Sequence, residues 1–156
     1  MSRRTLKRWF KSTSNRTFIV FPVAVVAFEA LRQQGWPTVE WLAVALLPWG
    51  YLQYRWSGDY RSKWGGGGPG IEVPPDRLVT TGIYALSRNP MYLGHLIFLL
   101  GLALVLQSWL GALLLACHVP WFQRRAMHDE ARLIERFGNA YRDYSLRTKR
   151  WVPWIA

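Results

Sequence analysis

The sequence predicts an all-α, polytopic membrane protein with about four transmembrane helices and a cytoplasmic C-terminal helix. Hydrophobic residues make up 51% of the 156 residues and are gathered into four apolar runs. The 20 Lys and Arg outnumber the 9 Asp and Glu, and all 20 lie outside these runs. Ten Trp residues suit the two interfaces of a bilayer, where amphipathic rings are enriched. Such a segregated charge pattern argues against nucleic acid as the partner of the basic residues, and it favours the lipid bilayer.

The four apolar runs cover residues 17–31, 41–54, 91–106 and 109–122. Each is shorter than the roughly 20 residues of a comfortable spanning helix. Helices that extend into flanking polar residues, or a thinner bilayer, accommodate the difference; a re-entrant pair is the alternative. The connection Gln107-Ser108 is tight and predicts an antiparallel hairpin. We therefore expect one domain, composed of a basic arm (1–16), a hairpin (17–54), a central loop (55–90), a second hairpin (91–122) and a tail (123–156).

The basic residues predict the orientation of these segments. Six lie in the arm, five in the central loop and eight in the tail, whereas the other two connections hold only Arg32. Because cytoplasmic loops carry the excess of Lys and Arg, both termini and the central loop are expected in the cytoplasm. We expect an integral, multi-pass protein of a bacterial inner or plasma membrane. A cleaved signal peptide is not expected, because the first run lacks a small-residue cleavage site.

The connection into the third apolar run carries the strongest chemical signal. Asn89-Pro90 predicts a helix start, because Asn is a favoured N-cap and Pro a favoured first helical residue. The free N–H groups of that first turn, together with the Arg88 guanidinium, would bind an anion. Tyr92 and His95 lie three residues apart and so near one another on the helix. The alternative interpretation is a well-capped transmembrane helix with an interfacial Arg and Tyr.

Two cytoplasmic segments surround this motif. The central loop contains Gly65-Gly66-Gly67-Gly68-Pro69-Gly70, which is either a flexible linker or a loop that approaches a cofactor or acts as a gate. Residues 123–144 predict an amphipathic helix that Gly138 ends or kinks. One face of this helix carries Glu130, Leu133, Ile134, Phe137, Tyr141 and Tyr144. Asp129 and Glu130 lie among four Arg residues, so ordinary surface pairing is the alternative to a ligand-binding role.

The chain resembles the integral membrane methyltransferases related to isoprenylcysteine carboxyl methyltransferase and the phospholipid methyltransferases. The resemblance rests first on LVTTGIY at 78–84 and RNPMYLG at 88–94. It rests also on a second block of Asp129-Glu130, Leu133, Phe137-Gly138, Tyr141 and Tyr144, and on the ending Arg150-Trp151 with Pro153. Many family members have His at the position of Asn89. Asn caps a helix equally well, so the anion site survives, whereas a role for a ring nitrogen would not.

The resemblance implies S-adenosyl-L-methionine as the methyl donor. Its carboxylate would meet Arg88 and the helix start, its ammonium or ribose would meet Asp129 or Glu130, and its sulfonium would face Tyr92. Adenine would take an apolar slot near Met91 and the face from Leu133 to Phe137. The implied cofactor-binding residues are thus Arg88, Asn89, Pro90, Met91, Tyr92, Gly94, Asp129, Glu130 and Phe137.

The resemblance also implies a lipophilic methyl acceptor at the cytoplasmic face, either an isoprenylcysteine carboxylate or a phospholipid amine. A carboxylate needs no base, whereas an ammonium must lose a proton, which His95, His128 or Glu130 could accept. Glu130 and His95 are therefore the catalytic candidates. Tyr141, Arg150 and Trp151 are the candidates for substrate binding, although Arg150 and Trp151 could equally anchor the tail at the interface.

Two other functions remain possible from the sequence. One is a sterol-reductase-like membrane enzyme that uses a dinucleotide, and the other is a noncatalytic basic membrane protein that binds anionic lipid or a partner. No metal is expected, because three scattered His residues and Cys117 show no ligand spacing. His118, inside the fourth apolar run, is expected to pack rather than to catalyse. Glu29, a carboxylate inside the first run, is either functional or snorkels to the interface.

Overall fold

The computed structural model describes residues 9–152. Half of the basic arm (1–8) and the end of the C-terminal motif (153–156) lie outside this range. All regular elements of the described part are helical, which confirms the all-α prediction. A 3₁₀ turn, Trp41–Ala43, lies between the first two helices. The α-helices are α1 (Thr13–Gln33), α2 (Leu46–Gly65), α3 (Ile83–Leu86), α4 (Pro90–Val105), α5 (Trp109–Phe137) and α6 (Asn139–Arg147).

The helix bounds differ from the predicted segments in two places. The second apolar run begins in the 3₁₀ turn, and α2 continues eleven residues past Tyr54, to Gly65. The fourth apolar run and the tail helix form one helix, α5, which continues through Pro120. It ends where Gly138 adopts φ 54° and ψ −127°, a conformation that side chains other than glycine disfavour. The predicted start of α4 at Pro90 and the break at Gly138 are both present.

One described helix, α1, is long and apolar enough to cross a membrane by itself. It contains a π-helical stretch, Arg16–Val20, and is followed by Gln34, which has a positive φ of 53°. The apolar helix α4 is shorter, at 16 residues. By length and hydropathy, therefore, the described residues establish one candidate span, and the four-span topology stays a prediction.

The chain divides into two compact units. The first comprises the described residues up to Tyr51 together with His95–Cys117. Its core is formed by Val25, Leu102, Val105 and Leu106. Glu29 is fully buried in this unit, and its carboxylate accepts hydrogen bonds from Arg32 (2.7 Å) and Gln33 (3.3 Å). The carboxylate in the first apolar run is therefore paired within its own helix.

The second unit comprises Leu52–Gly94 and the described residues from His118 onwards. In it α6 and the residues that follow run beside the segment from α3 to α4, and hydrogen bonds to backbone carbonyls join the two. The Tyr144 hydroxyl donates to the Tyr84 carbonyl (2.6 Å), and Arg88 N–H donates to the Lys149 carbonyl (3.0 Å). The Ser87 hydroxyl donates to the Arg150 carbonyl (3.2 Å). These bonds place the predicted motif of residues 88–94 against the end of the described chain.

Two glycines set the direction of the short helices in this second unit. Gly82 precedes α3 with φ 59° and ψ −131°, and Gly138 precedes α6 with nearly the same angles. A Cβ at Gly82 would also lie 2.6 Å from the ring of Tyr60. Glycine is therefore required at Gly82 by both backbone conformation and space, and at Gly138 by backbone conformation alone.

Candidate functional site

The second unit contains two neighbouring cavities. The first cavity has a volume of about 70 Å³, and the second has a volume of about 220 Å³. Five residues line both: Arg61, Ile71, Pro75, Asp129 and Leu133. The first cavity is further lined by Leu78, Val79, Tyr84, Arg88, Asn89, Pro90, Met91, Tyr92, Tyr141 and Tyr144, and the second by Val73, Pro74, Arg132 and Arg136.

Glu130 is the centre of a charged cluster beside the first cavity's wall. Its carboxylate accepts two hydrogen bonds from the Arg150 guanidinium, at 2.9 and 3.0 Å. It also accepts one from the Asn89 side-chain amide (2.9 Å) and lies 3.4 Å from Arg88 Nη2. Glu130 is 6% exposed and is not one of the lining residues. Its carboxylate therefore holds the α4 start and the end of the described chain in place.

Asp129, the neighbouring carboxylate, has different surroundings. It lines both cavities, and its Oδ2 accepts a short hydrogen bond from the Tyr92 hydroxyl. Its Oδ1 lies 3.4 Å from Arg132 Nη2 and 3.9 Å from His128 Nδ1. Arg125 Nε donates to the Tyr92 hydroxyl oxygen at 3.1 Å, which fixes the direction of the Tyr92 bond toward Asp129. Asp129 is thus the carboxylate that faces the cavities.

Arg88 supplies positive charge to the wall of the first cavity. Its side chain is 13% exposed, and its Nε is buried with no hydrogen-bond partner in the described part of the chain. Such a buried donor is costly unless a ligand or water satisfies it. Pro90 begins α4 two residues after Arg88, so the free N–H groups of the first turn follow it closely in sequence. Arg88 and the start of α4 are the groups that the sequence predicts for an anion site, and that role stays a prediction.

Three tyrosines on the wall of the first cavity are neutral at physiological pH. Burial raises the pKa of Tyr84 to about 12, although the positive charge of Arg61 acts in the opposite direction. Burial also raises the pKa of Tyr141 and of Tyr144 well above the ordinary range of a phenol. Because the phenols keep their protons, they can donate hydrogen bonds or present a ring face, but they do not serve as bases.

A family model described as phospholipid methyltransferase matches residues 41–140, which is more than half of the chain. The chain belongs to the phospholipid methyltransferase family. The matched range includes the start of α4, Asp129 and Glu130, and Leu133, which are the central parts of the site.

The individual relatives are named protein-S-isoprenylcysteine O-methyltransferases and not phospholipid methyltransferases. Protein-S-isoprenylcysteine O-methyltransferase of Schizosaccharomyces pombe is 38% identical over 80 residues, which cover 50% of this chain and 34% of the relative. Protein-S-isoprenylcysteine O-methyltransferase B of Arabidopsis thaliana is 35% identical over 81 residues (51% and 41%). The Mus musculus protein-S-isoprenylcysteine O-methyltransferase is 34% identical over 79 residues (50% and 28%). The matched part of this phospholipid methyltransferase family member thus spans less than half the length of these relatives.

The structure brings seven of the predicted site residues to the first cavity: Arg88, Asn89, Pro90, Met91, Tyr92, Asp129 and Tyr141. Gly94 is buried in α4 but is not a lining residue, and Phe137 packs under the guanidinium of Arg136. Trp151 donates its indole N–H to Gln123 Oε1 at 2.7 Å. Arg150 is held by Glu130, whose hydrogen bonds raise the pKa of the guanidinium and keep it charged. These two contacts attach Arg150 and Trp151 to α5.

His95 lies in the first unit and does not line either cavity. Its ring is fully buried and packs edge-on against Phe18, with ring centroids 4.7 Å apart. The three-residue spacing from Tyr92 is present on α4, but it does not bring the two side chains to one cavity. His118 packs against Trp121 and Phe122, as expected of a packing residue.

Several site residues were not singled out from the sequence. Arg61, Ile71 and Pro75 flank the glycine-rich stretch, and only the fold shows that they line both cavities. Arg125 precedes Asp129 by four residues, and this spacing predicts that the two lie close together on a helix. It does not predict the hydrogen bond that Arg125 donates to Tyr92. Among residues 9–152, no group of three or more His, Cys, Asp or Glu is placed to hold a metal ion.

Proposed function

We propose that the protein transfers a methyl group from S-adenosyl-L-methionine to a lipophilic acceptor at the cytoplasmic face of a membrane. One observation carries this proposal: Arg88 at the α4 start and Asp129 on α5 line one cavity with aromatic and apolar walls. An anion site and a carboxylate in one cavity complement the carboxylate and ammonium groups of the donor. Membership of the phospholipid methyltransferase family supports the same activity over a dinucleotide-dependent reduction.

The lining residues fit the chemistry of this donor. Arg88, with its buried Nε, and the first turn of α4 would bind the carboxylate. Asp129 would bind the ammonium or the ribose hydroxyls, and Met91 and Leu133 offer apolar surface to adenine. Tyr92 offers a ring face to the sulfonium, which is a cation. When bound, the donor supplies an electrophilic methyl group, and the protein's contribution is to orient the reactants and exclude water.

We assign Asp129 to donor binding and Glu130 to positioning. The sequence alone leaves either carboxylate as the ligand of the ammonium. Glu130 already accepts from Arg150 and Asn89 and lies outside the lining, whereas Asp129 faces both cavities. Glu130 therefore acts through Arg88, whose guanidinium it orients, and is a positioning residue.

A proton acceptor is needed only if the acceptor is an amine. The cavity tyrosines keep their protons, and His95 does not line the cavities. His128 lies 3.9 Å from Asp129 Oδ1 and its side chain is 72% exposed, so it can exchange protons with water. For an amine acceptor we assign the proton to Asp129, which lines both cavities, with His128 as its neighbour outside the lining. A carboxylate acceptor would react without either.

The acceptor is proposed to enter from the bilayer. Unit one exposes large apolar side chains, among them Leu31, Trp36, Leu42 and Trp109, as expected for a surface in lipid. This pattern supports a membrane location of the first unit. An isoprenylcysteine carboxylate, as in the names of the relatives, and a phospholipid amine, as in the name of the family, both remain candidates.

Incubation of the purified protein with radiolabelled methyl donor and a total lipid extract tests the activity. We expect label in the lipid fraction for the wild type and for Asp143→Asn, which removes an exposed carboxylate of α6. Asp129→Asn should lose most of the incorporation. A carboxylate acceptor predicts a flat rate between pH 7 and 9, whereas an amine predicts a rate that rises as the ammonium deprotonates. Label only in water-soluble molecules would contradict a lipophilic acceptor, and a chain that binds no methyl donor would be a noncatalytic membrane protein.

A further inference from the structure

The glycine-rich stretch after α2 belongs to a loop that closes on itself, residues 66–76 (the 66–76 loop). The Gly65 carbonyl accepts hydrogen bonds from the backbone N–H groups of Asp76 (2.7 Å) and Arg77 (2.8 Å), so the two ends of the loop meet. Asp76 Oδ2 accepts a further bond from Gly67 N–H at 3.0 Å. Compact surface loops with joined ends are frequently functional. The stretch is therefore an ordered body and not a flexible linker.

Arg61 of α2 holds the interior of this loop together. Its Nη2 lies within hydrogen-bonding distance of the carbonyls of Gly70 (2.6 Å), Val73 (2.9 Å) and Gly68 (3.4 Å). Gly66 and Gly67 have φ of 74° and 68°, and a Cβ at either would lie within 2.7 Å of another atom. These contacts brace the loop internally, so that it forms one body.

The underside of the 66–76 loop forms a wall of both cavities. Ile71 and Pro75 line the first and second cavities, and Val73 and Pro74 line the second. Across the second cavity lie Leu133, Arg132 and Arg136 of α5. The loop is joined to α5 by an ion pair between Asp76 Oδ1 and Arg136 Nη2, at 3.4 Å. The side chains of this pair are 64% and 45% exposed, and such pairs contribute little to stability.

The volumes of the cavities favour a wall that moves. Pockets that enclose a ligand of cofactor size have volumes of roughly 300–1,000 Å³. The first cavity, which holds the Arg88 anion site, has about 70 Å³, and the second about 220 Å³. Neither is large enough alone, and the 66–76 loop borders both.

We propose that the 66–76 loop is a lid through which the methyl donor enters and its product leaves, and that Asp76–Arg136 is the latch. The identity of the ligand rests on the proposed function. The lid gives the soluble donor its own entrance from the aqueous phase, separate from the bilayer route of the acceptor. A weak, exposed latch permits frequent opening, while Arg61 keeps the loop folded during the movement.

Hydrogen exchange of the detergent-purified protein, measured peptide by peptide without ligand, tests the latch. Arg136→Gln should speed exchange in residues 66–76 about two- to fivefold, the range expected from loss of an exposed ion pair. The matched control is Asp59→Asn, which removes a comparable exposed pair with Arg55 (3.6 Å) on α2. Arg136→Lys, which keeps the charge, should restore most of the protection. Exchange in the loop that is the same in Arg136→Gln and Asp59→Asn would overturn the latch.

S-adenosylhomocysteine, the reaction product, serves as the probe of the lid. Its addition should slow exchange in residues 66–76 of the wild type, and its dissociation should be faster from Arg136→Gln than from Asp59→Asn. Binding that leaves the exchange of the loop unchanged would overturn the lid. Failure of the probe to bind at all would instead contradict the proposed function, and the ligand-free comparison of the variants would still decide the latch.

Discussion

Replacement of Glu130 by Gln should destabilise the second unit more than any single change on the cavity surface. The Glu130 carboxylate is 6% exposed and is the shared acceptor of Arg150, Asn89 and Arg88. Gln keeps the volume but removes the charge, and it offers an NH₂ where the guanidinium of Arg150 needs an oxygen. Loss of one partner from a buried ion pair costs about 3–5 kcal/mol, and we take the lower value because the Arg150 side chain is 28% exposed.

A loss of about 3 kcal/mol corresponds to a fall in melting temperature of about 6–12 °C for a domain of this size. Thermal unfolding in detergent, followed by tryptophan fluorescence, measures it. Asp129→Asn is the matched control, since Asp129 is more exposed and its loss should lower the melting temperature far less. Arg150→Ala should resemble Glu130→Gln. A melting temperature of Glu130→Gln within 2 °C of the wild type, which corresponds to about 0.5–1 kcal/mol, would refute the positioning role if donor affinity is also unchanged.

Three other measurements probe different parts of the protein. Arg88→Ala should weaken binding of S-adenosylhomocysteine by about 1.5–3 kcal/mol, the value of a hydrogen bond to a charged group, while His118→Ala should leave it unchanged; calorimetry on both variants decides this. Because the folded pKa of Tyr84 is about 12 against an ordinary value near 10, the folded state holds this proton more tightly, and stability should decline as pH rises from 10 to 12. The free energy of unfolding of the wild type should therefore lose up to about 3 kcal/mol relative to Tyr84→Phe between pH 10 and 12. Chemical denaturation at several pH values measures this difference, and a difference that stays constant would contradict the raised pKa of Tyr84. In a Cys117→Ala background, Gly35→Cys should react with impermeant thiol reagents from outside the cell, and labelling from the cytoplasmic side would contradict the predicted topology.

The sequence predicts local structure well where a residue's own backbone chemistry decides it. Pro90 starts α4 and Gly138 ends α5, because the fixed φ of proline and the unusual φ of this glycine act without help from distant residues. The boundary predicted after Phe122 has no such residue. Hydropathy falls there, but nothing breaks the helix, and α5 continues to Phe137.

The composition of the site depends on packing that spacing alone does not specify. Tyr92 and His95 satisfy the same helical spacing rule, yet Tyr92 donates to Asp129 while His95 packs against Phe18 in the first unit. The adjacent carboxylates Asp129 and Glu130 have different neighbours. What distinguishes Glu130 is its hydrogen bonds with Asn89 and Arg150, which lie 41 and 20 residues away in sequence. Arg61 was not predicted because its partners are backbone carbonyls, which leave no mark on the sequence pattern.

The hydrogen bonds between residues 84–88 and 144–150 have a consequence for biosynthesis. Their partners are 60 to 63 residues apart, and the last of them, Arg150, is also a partner of Glu130. Domains begin to fold during synthesis. Before residue 150 is made, α4 and α5 are already present, and Glu130 has only Arg88 and Asn89 as partners. The set of hydrogen bonds around Glu130 is completed only when Arg150 has been synthesised. A premature stop shortly before Arg150 would therefore yield a chain with its apolar helices and all lining residues of the first cavity, but with Glu130 deprived of its Arg150 partner.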